Sequence, residues 1–318
     1  RVTDVLSLFG NRCIEPFHLF FGGKGGVGKT VCAAATALYI AENSPDKKIL
    51  IFSASPVHAL SDSFECEIGD EVTSITPNLY GLEIDAKKMF DDFKKRYIDE
   101  INVVFDSIED ETPGADLSFD RRVTLDLFNL TPPGLDEIMA LVEIVELTES
   151  REYDIFVLDT APTGHLLRLL ELPDIIAEWL SRLIKILGRY RKKMQITETI
   201  ELLQDTERRV QDTQRILKDP EKTEFVTVTI PEAMGILETE RLFTTLHELE
   251  IPSDYLIVNR ITPQTTCSFC ASRREEQQEH LKEISGLFPE KAIAEMPLLP
   301  HEVKGSDALL NFGKIMYR

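Results

Sequence analysis

Eight residues constrain this chain more than any others: Gly23-Lys24-Gly25-Gly26-Val27-Gly28-Lys29-Thr30. They stand between an apolar run, Phe17–Phe21, and an Ala-rich stretch, Thr30–Asn43, that stops before Ser44-Pro45. A buried strand feeding a glycine-rich turn and then a helix is the context a phosphate loop requires. Glycines let the backbone bend until its N–H groups converge on phosphate oxygens, and the helix N-terminus adds its dipole. In that arrangement Lys29 reaches the β and γ phosphates of a nucleotide, and the Thr30 hydroxyl is placed to ligate Mg²⁺. The same residues also satisfy Gly-x-Gly-x-x-Gly, at Gly23, Gly25 and Gly28, which is the pattern of a dinucleotide site. That alternative wants an acid near the end of the second strand to hold a ribose. Ile51-Phe52-Ser53-Ala54-Ser55 supplies none, and Lys29-Thr30 would have no role, so the phosphate loop is the better reading.

Further apolar runs extend the pattern: Ile49–Ser53, Asp154–Leu158, Phe225–Ile230, Tyr255–Val258 and a weaker one at Ala292–Met296. Most are apolar on both alternations, as parallel strands covered on both faces are. Helix-patterned segments at Thr30–Asn43, Leu135–Glu149 and Ile236–Glu250 lie between them. The expected fold class is therefore α/β, a doubly wound and mostly parallel sheet of the P-loop type. Residues 86–133 and 172–220 are too long and charged for simple crossovers. In the second stretch Ile196, Ile200, Leu203, Val210 and Leu217 keep helical spacing until Pro220. These two stretches are expected to form a helical subdomain added to a single 1–318 ATPase domain. Their plain reading is amphipathic helices packed on neighbours; their functional reading is a surface that holds a partner.

Phosphoryl transfer to water needs a carboxylate in the metal's shell and a group that orients the water. Asp159 follows the Asp154–Leu158 run, and the carboxyl end of a strand faces the ligand crevice of such a sheet. It is assigned to the Mg²⁺ water shell. Asp62 lies just past the second strand, in Pro56-Val57-His58-Ala59-Leu60-Ser61-Asp62. Spacing alone leaves it either a solvent-facing cap or the residue that orients the attacking water.

Composition narrows the partners. The 318 residues carry 35 Lys and Arg against 55 Asp and Glu, a net charge of −20. Such acidity argues against a phosphate-facing nucleic-acid binder and against a polybasic lipid anchor. No apolar stretch is long enough to span a bilayer, and no signal-peptide pattern is visible at Arg1. Five Cys in so long a chain argue against a secreted disulfide framework and for a reducing cytoplasm.

Lys24, directly after the first glycine, marks the deviant Walker A group of P-loop ATPases. The chain resembles, within that group, the ATPases that drive arsenite pumps and those that target tail-anchored membrane proteins. The matching stretches include Gly23–Thr30, Pro56–Phe64, Leu82-Glu83-Ile84-Asp85, Pro132–Glu137 and Leu158–Pro173. Ile230–Arg241, Val258–Asn259, Cys267–Gln278 and Pro297–Gly305 complete them. The resemblance implies an ATP-hydrolysing homodimer in which Lys24 reaches the partner's nucleotide. It also implies that Asp62 is the switch aspartate, that Glu232 and Asn259 contact nucleotide, and that Pro297–Val303 lines the base pocket. One departure is plain: the family usually has Asp where this chain has Ser55.

Cys267-Ser268-Phe269-Cys270 is a CxxC, and two thiolates fill only half of a tetrahedral zinc site. A two-fold dimer would close it with two Cys from each chain, and the targeting branch resembles this arrangement. Arg273 and Arg274 follow and could lower the thiol pKa values. Three functions stand side by side. The first is a cytoplasmic ATPase that binds hydrophobic tail-anchored segments and delivers them to a membrane receptor. The second is the energising subunit of an arsenite or anion efflux pump. Pumps of that kind usually carry two ATPase halves and dedicated Cys, whereas residues 67–266 hold no Cys. The third is an iron–sulfur cluster scaffold, for which the CxxC would hold the cluster. The targeting branch is the closest match, although the connection after Tyr190 is short for a full client groove.

Overall fold

The computed structural model describes residues 16–54, 59–111, 121–123, 125–126, 135–159, 178, 181–182, 184–185 and 197–317. Eight strands form one sheet in the order β3-β4-β2-β5-β1-β6-β7-β8. Their spans are β1 Phe17–Gly22, β2 Ile49–Ser53, β3 Thr73–Thr76, β4 Leu79–Glu83, β5 Ile155–Asp159, β6 Thr223–Thr229, β7 Tyr255–Ile261 and β8 Ala292–Pro297. Every neighbouring pair is parallel except β3 with β4. The helices among the described residues are α1 Lys29–Asn43, α2 Ala59–Phe64, α3 Ala86–Glu111, α4 Leu135–Ser150, α5 Thr197–Lys218, α6 Ala233–Glu248, α7 Ser268–Leu287 and α8 Ser306–Met316. This is the doubly wound P-loop fold.

The six apolar runs all become strands. The hairpin β3–β4 has no counterpart among the sequence expectations. β3, Thr73-Ser74-Ile75-Thr76, is an edge strand, half-exposed or exposed along its length, so it carries little apolar signal. β4 hides its signal behind Tyr80 and Gly81. A Cβ at Gly81 would lie 2.9 Å from Ile75 Cδ1 and 3.0 Å from Ile68 Cδ1, so a larger residue there would make these two side chains shift.

The sheet is covered on both faces at its centre. β1, β2, β5 and β6 are buried at every residue, which is what strands covered on both faces require. Its neighbour α1 is rich in Ala because α8 lies directly on it. Gly313 approaches so closely that a Cβ would sit 2.7 Å from the Ala35 carbonyl oxygen. Tyr317 caps this contact, its hydroxyl 2.6 Å from Thr36 Oγ1.

The described residues divide into two compact units. One draws on Arg1–Ile84, Ser150–Leu167 and Ile216–Arg318 and contains the sheet. The other draws on Asp85–Glu149 and Arg168–Arg215 and is helical where it is described. Within the second unit Phe105 of α3 is fully buried while Val103 is exposed, and Arg209 of α5 bridges Asp205 at 2.8 Å and Glu146 at 2.6 Å.

Candidate functional site

β1 occupies the place where strand order reverses, with β5 on one side and β6 on the other. In an open α/β sheet the ligand crevice lies at the carboxyl ends of strands at that point, and there the phosphate loop begins. Gly23 leaves β1 at φ 144°, pressed on β6 so tightly that a Cβ would stand 2.1 Å from the Val228 carbonyl oxygen. Gly26 and Gly28 take φ values of 81° and 97°, a region costly to side-chain-bearing residues. Gly28 is also the N-cap of α1 and has no side chain to cap the helix, so the first N–H groups of α1 stay available to an anion.

Lys29 is buried, 8% exposed, and its ammonium donates to the Lys24 carbonyl at 3.1 Å. Burial lowers its pKa, and the Asp159 charge opposes that. Thr30 Oγ1 donates to Asp159 Oδ2 at 2.7 Å. Asp159 is itself buried, and burial pushes its carboxyl up to about 6 against the pull of Thr30 and Lys29, with Glu83 adding to the rise. Asp159 Oδ1 has no hydrogen-bond partner among the described residues, and neither has Ser53 Oγ. The two residues are register partners on adjacent strands. Unsatisfied buried oxygens at a strand end, next to a threonine hydroxyl, are the donor set that a hydrated Mg²⁺ prefers.

Asn259, at the end of β7, closes the loop from behind. Its side-chain amide donates to the Val27 carbonyl at 2.8 Å, and its Oδ1 accepts from the Arg260 N–H at 2.9 Å. A Cβ at Gly28 would lie 2.5 Å from the same amide nitrogen. Both ends of the Asn259 side chain are thus engaged within the protein, in a buried position. Leu299 and Val303, from the expected base-pocket segment, pack against the hydrophobic core.

Lys24 meets Lys29 through its carbonyl alone among the hydrogen bonds described. Its ammonium lies 3.6 Å from Glu238 of α6, at the half-exposed mouth of the loop. Glu232 is the N-cap of α6 and pairs with Arg273 of α7 at 3.5 Å. These two side chains, with Phe269 and His280, line a cavity of about 480 Å³. Asp62 lies in the first turn of α2 and is exposed. No hydrogen bond or ion pair joins it to the phosphate loop among the described residues. Lys304, held protonated mainly by Glu302, also feels the charges of Asp62 and Glu65. Ser55 and the segment Thr160–His165 lie outside the described residues, as do Pro132–Gly134 and Met194.

Cys267 is exposed and Cys270 is half-buried at the start of α7. The Cys270 backbone and thiol, then the Phe269 backbone, hold the Cys267 thiol below its usual range, while Cys270 is raised by that same bond. The lowering therefore comes from within the motif. Arg273 acts only weakly on Cys270, and Arg274 is engaged with the Thr262 carbonyl. Among the described residues no group of three or more His, Cys, Asp or Glu is arranged to hold a metal.

The site brings Gly23–Thr30, Asp159 and Asn259 together. Sequence reasoning missed Glu238 and Ser53; the signal for Ser53 was available, since it ends a strand next to the one that ends in Asp159.

A family profile described as anion-transporting ATPase (ArsA ATPase) matches residues 17–318. The chain is similar to the ATPase ASNA1 homolog of Entamoeba dispar, 33% identical over 313 residues that cover 93% of this chain and 92% of the relative. It is 34% identical to ATPase GET3C of Arabidopsis thaliana over 329 residues, 95% of this chain and 82% of the relative. To ATPase asna-1 of Caenorhabditis elegans it is 31% identical over 319 residues, 94% and 92% of the two chains.

Proposed function

The chain belongs to the ArsA family of anion-transporting ATPases and is an ATP-hydrolysing enzyme, and on that premise we propose that it targets tail-anchored membrane proteins. It would bind their hydrophobic segments as a Mg²⁺-dependent homodimer in the cytoplasm and pass them to a membrane receptor. Relatives named GET3 and ASNA1 support this over an anion pump subunit or a cluster scaffold. The observation that carries the dimeric mechanism is Lys24, half-exposed at the mouth of a complete phosphate loop with its ammonium beside Glu238. No helix among the described residues is long and apolar enough to cross a membrane.

Bound magnesium would supply charge neutralisation and polarisation of the β and γ phosphates, held by Thr30 directly and by Asp159 through water. The loop N–H groups and the α1 N-terminus receive the phosphates. Lys29 exchanges the Lys24 carbonyl for phosphate oxygens, a trade favoured by charge-assisted hydrogen bonding. Lys24 leaves Glu238 and neutralises charge on the nucleotide of a second copy, as an arginine finger does. Asp62 orients the attacking water. Glu232 would face the nucleoside, and Asn259 would reach it only by giving up a bond to Val27 or Arg260. Cys267 and Cys270, already in mutual hydrogen-bond contact, would hold zinc together with the same pair of a second copy.

The test is capture of a tail-anchored peptide by the purified chain with and without ATP. Nucleotide-dependent capture supports the proposal, and indifference to nucleotide sinks the targeting function. Asp62→Asn should stop turnover while ATP still binds; unchanged turnover would remove Asp62 from the mechanism. Half an equivalent of zinc per chain, lost in Cys267→Ser, is expected of the shared site.

A further inference from the structure

Glu83 ends β4 and is 3% exposed. A carboxylate stays that deep only where donors surround it. Donors come from the first turn of α2. The Leu60 N–H reaches Oε1 at 3.0 Å. The Ser61 N–H reaches Oε2 at 3.4 Å, and the Ser61 hydroxyl reaches it at 2.9 Å. The same hydroxyl accepts from the Ile68 N–H at 3.1 Å and lies 2.9 Å from the Ile68 carbonyl, so its single proton is shared between two acceptors. Behind Glu83 its own N–H donates to Gly69, and the Ile84 N–H donates to Ser53. In register, Glu83 stands beside Ser53 of β2, and Ser53 beside Asp159 of β5.

We infer that Glu83 is a positioning residue for ATP hydrolysis: it clamps the first turn of α2 to the row of strand ends that carries Ser53 and Asp159. Resting on the assignment of the chain as an ATPase, this adds a role for a residue outside the phosphate loop. The clamped turn of α2 carries Asp62, the residue proposed above to orient the attacking water, so holding that turn against the strand ends holds Asp62. An anion does this better than a neutral acceptor, because two helix N-terminal N–H groups and a hydroxyl point at it. Leu60 and Ser61, the donors to Glu83, lie outside the loop Gly23–Thr30, so nucleotide affinity and turnover should separate when the clamp is loosened.

The experiment compares wild type with Glu83→Gln and Glu83→Asp, using steady-state hydrolysis and hydrogen exchange on the full chain. Glu83→Gln keeps the shape and loses the charge. Its kcat should fall ~10-fold or more, as small misplacements of reacting groups do, with the KM for ATP within about 2-fold. The Leu60 and Ser61 amides should exchange ~10-fold faster, with residues 24–30 unchanged. Glu83→Asp, which restores the charge on a shorter stem, should recover part of kcat. Wild-type kcat in Glu83→Gln overturns the inference. So does a parallel change in kcat and KM with faster exchange across the sheet, which is what a structural role alone predicts. If Glu83→Gln does not fold, Ser61→Ala removes the hydroxyl's contact with Glu83 together with its bonds to Ile68 and keeps both N–H contacts; a lowered kcat at constant KM supports the clamp, and an unchanged kcat overturns it. A wild-type chain with no ATP turnover would instead defeat the ATPase assignment, and the exchange at Leu60 and Ser61 would still judge the contact.

Discussion

Asn259→Ala separates two roles that the site allows for one residue. The family resemblance expects Asn259 at the nucleotide base, whereas the structure engages its amide with the Val27 carbonyl at 2.8 Å and its oxygen with the Arg260 N–H at 2.9 Å. Val27 is fully buried, so truncation strands a carbonyl that water does not readily reach. Leaving one buried backbone acceptor unpaired costs about 1–3 kcal/mol. The Arg260 N–H adds little, because Arg260 is exposed. The nucleotide-free variant should therefore lose roughly 2 kcal/mol, a fall of about 3 °C in Tm for a chain of this size. The loop held by that bond binds phosphates common to all nucleotides, so ATP and GTP should weaken by the same factor. Urea unfolding without nucleotide and calorimetric titration with both nucleotides read these quantities. An unchanged nucleotide-free stability combined with selective loss of ATP over GTP would refute the positioning role and leave only base recognition.

Three further outcomes follow from the geometry. Burial holds the His18 imidazole down at about 4, against the bond it donates to the Lys222 carbonyl at 3.2 Å. Between about 4 and 6.5 the unfolded chain binds a proton that the folded chain refuses, so stability rises with pH across that window. Roughly 3 kcal/mol present above pH 6.5 is lost by pH 4, and His18→Phe, which can still stack on Phe156, should flatten that part of a pH-dependent denaturation series. Glu238→Gln frees Lys24 from a half-exposed pair worth at most about 1 kcal/mol; Tm should hardly move, and nucleotide-driven dimerisation measured by sedimentation should need up to ~5-fold less ATP. Gly23→Ala places a methyl 2.1 Å from the Val228 oxygen and should cost more than ~3 kcal/mol of stability. Gly26→Ala, which meets nothing within 4 Å, should cost only about 1–2 kcal/mol for its positive φ; equal losses in thermal unfolding would contradict the close approach at Gly23.

The loop and the six apolar strands were legible because their signals are local. A glycine pattern between a strand and a helix, and runs of Val, Ile, Leu and Phe, need no tertiary knowledge. Asp159 was legible for the same reason, since the end of an apolar run points to the crevice. The hairpin β3–β4 was not, because Thr73–Thr76 has neither burial nor strict alternation and Gly81 breaks the β4 pattern. The start of α6 was placed at Ile236, one turn late, because Ala233 and Gly235 carry no apolar stripe although Glu232 already ends the extended segment. Glu238 and Glu83 resisted for a different reason. Their meaning lies in pairings at long range, with Lys24 and with Leu60 and Ser61, and an isolated glutamate has the same appearance in sequence whether it is solvated or clamping a helix.

The seat of α8 on α1 bears on how the protein comes into being. The helix that opens at the phosphate loop is made well before the residues that cover it: its Ala face is met by Gly313 and sealed by Tyr317, 281 residues beyond the Thr36 it bonds. Contacts so distant along the chain close late. A growing chain on the ribosome therefore has its glycine turn and both lysines well before it has the wall that keeps α1 in place. Nucleotide competence should therefore wait until α8 has been made, and a product with that wall missing is poorly equipped to spend ATP.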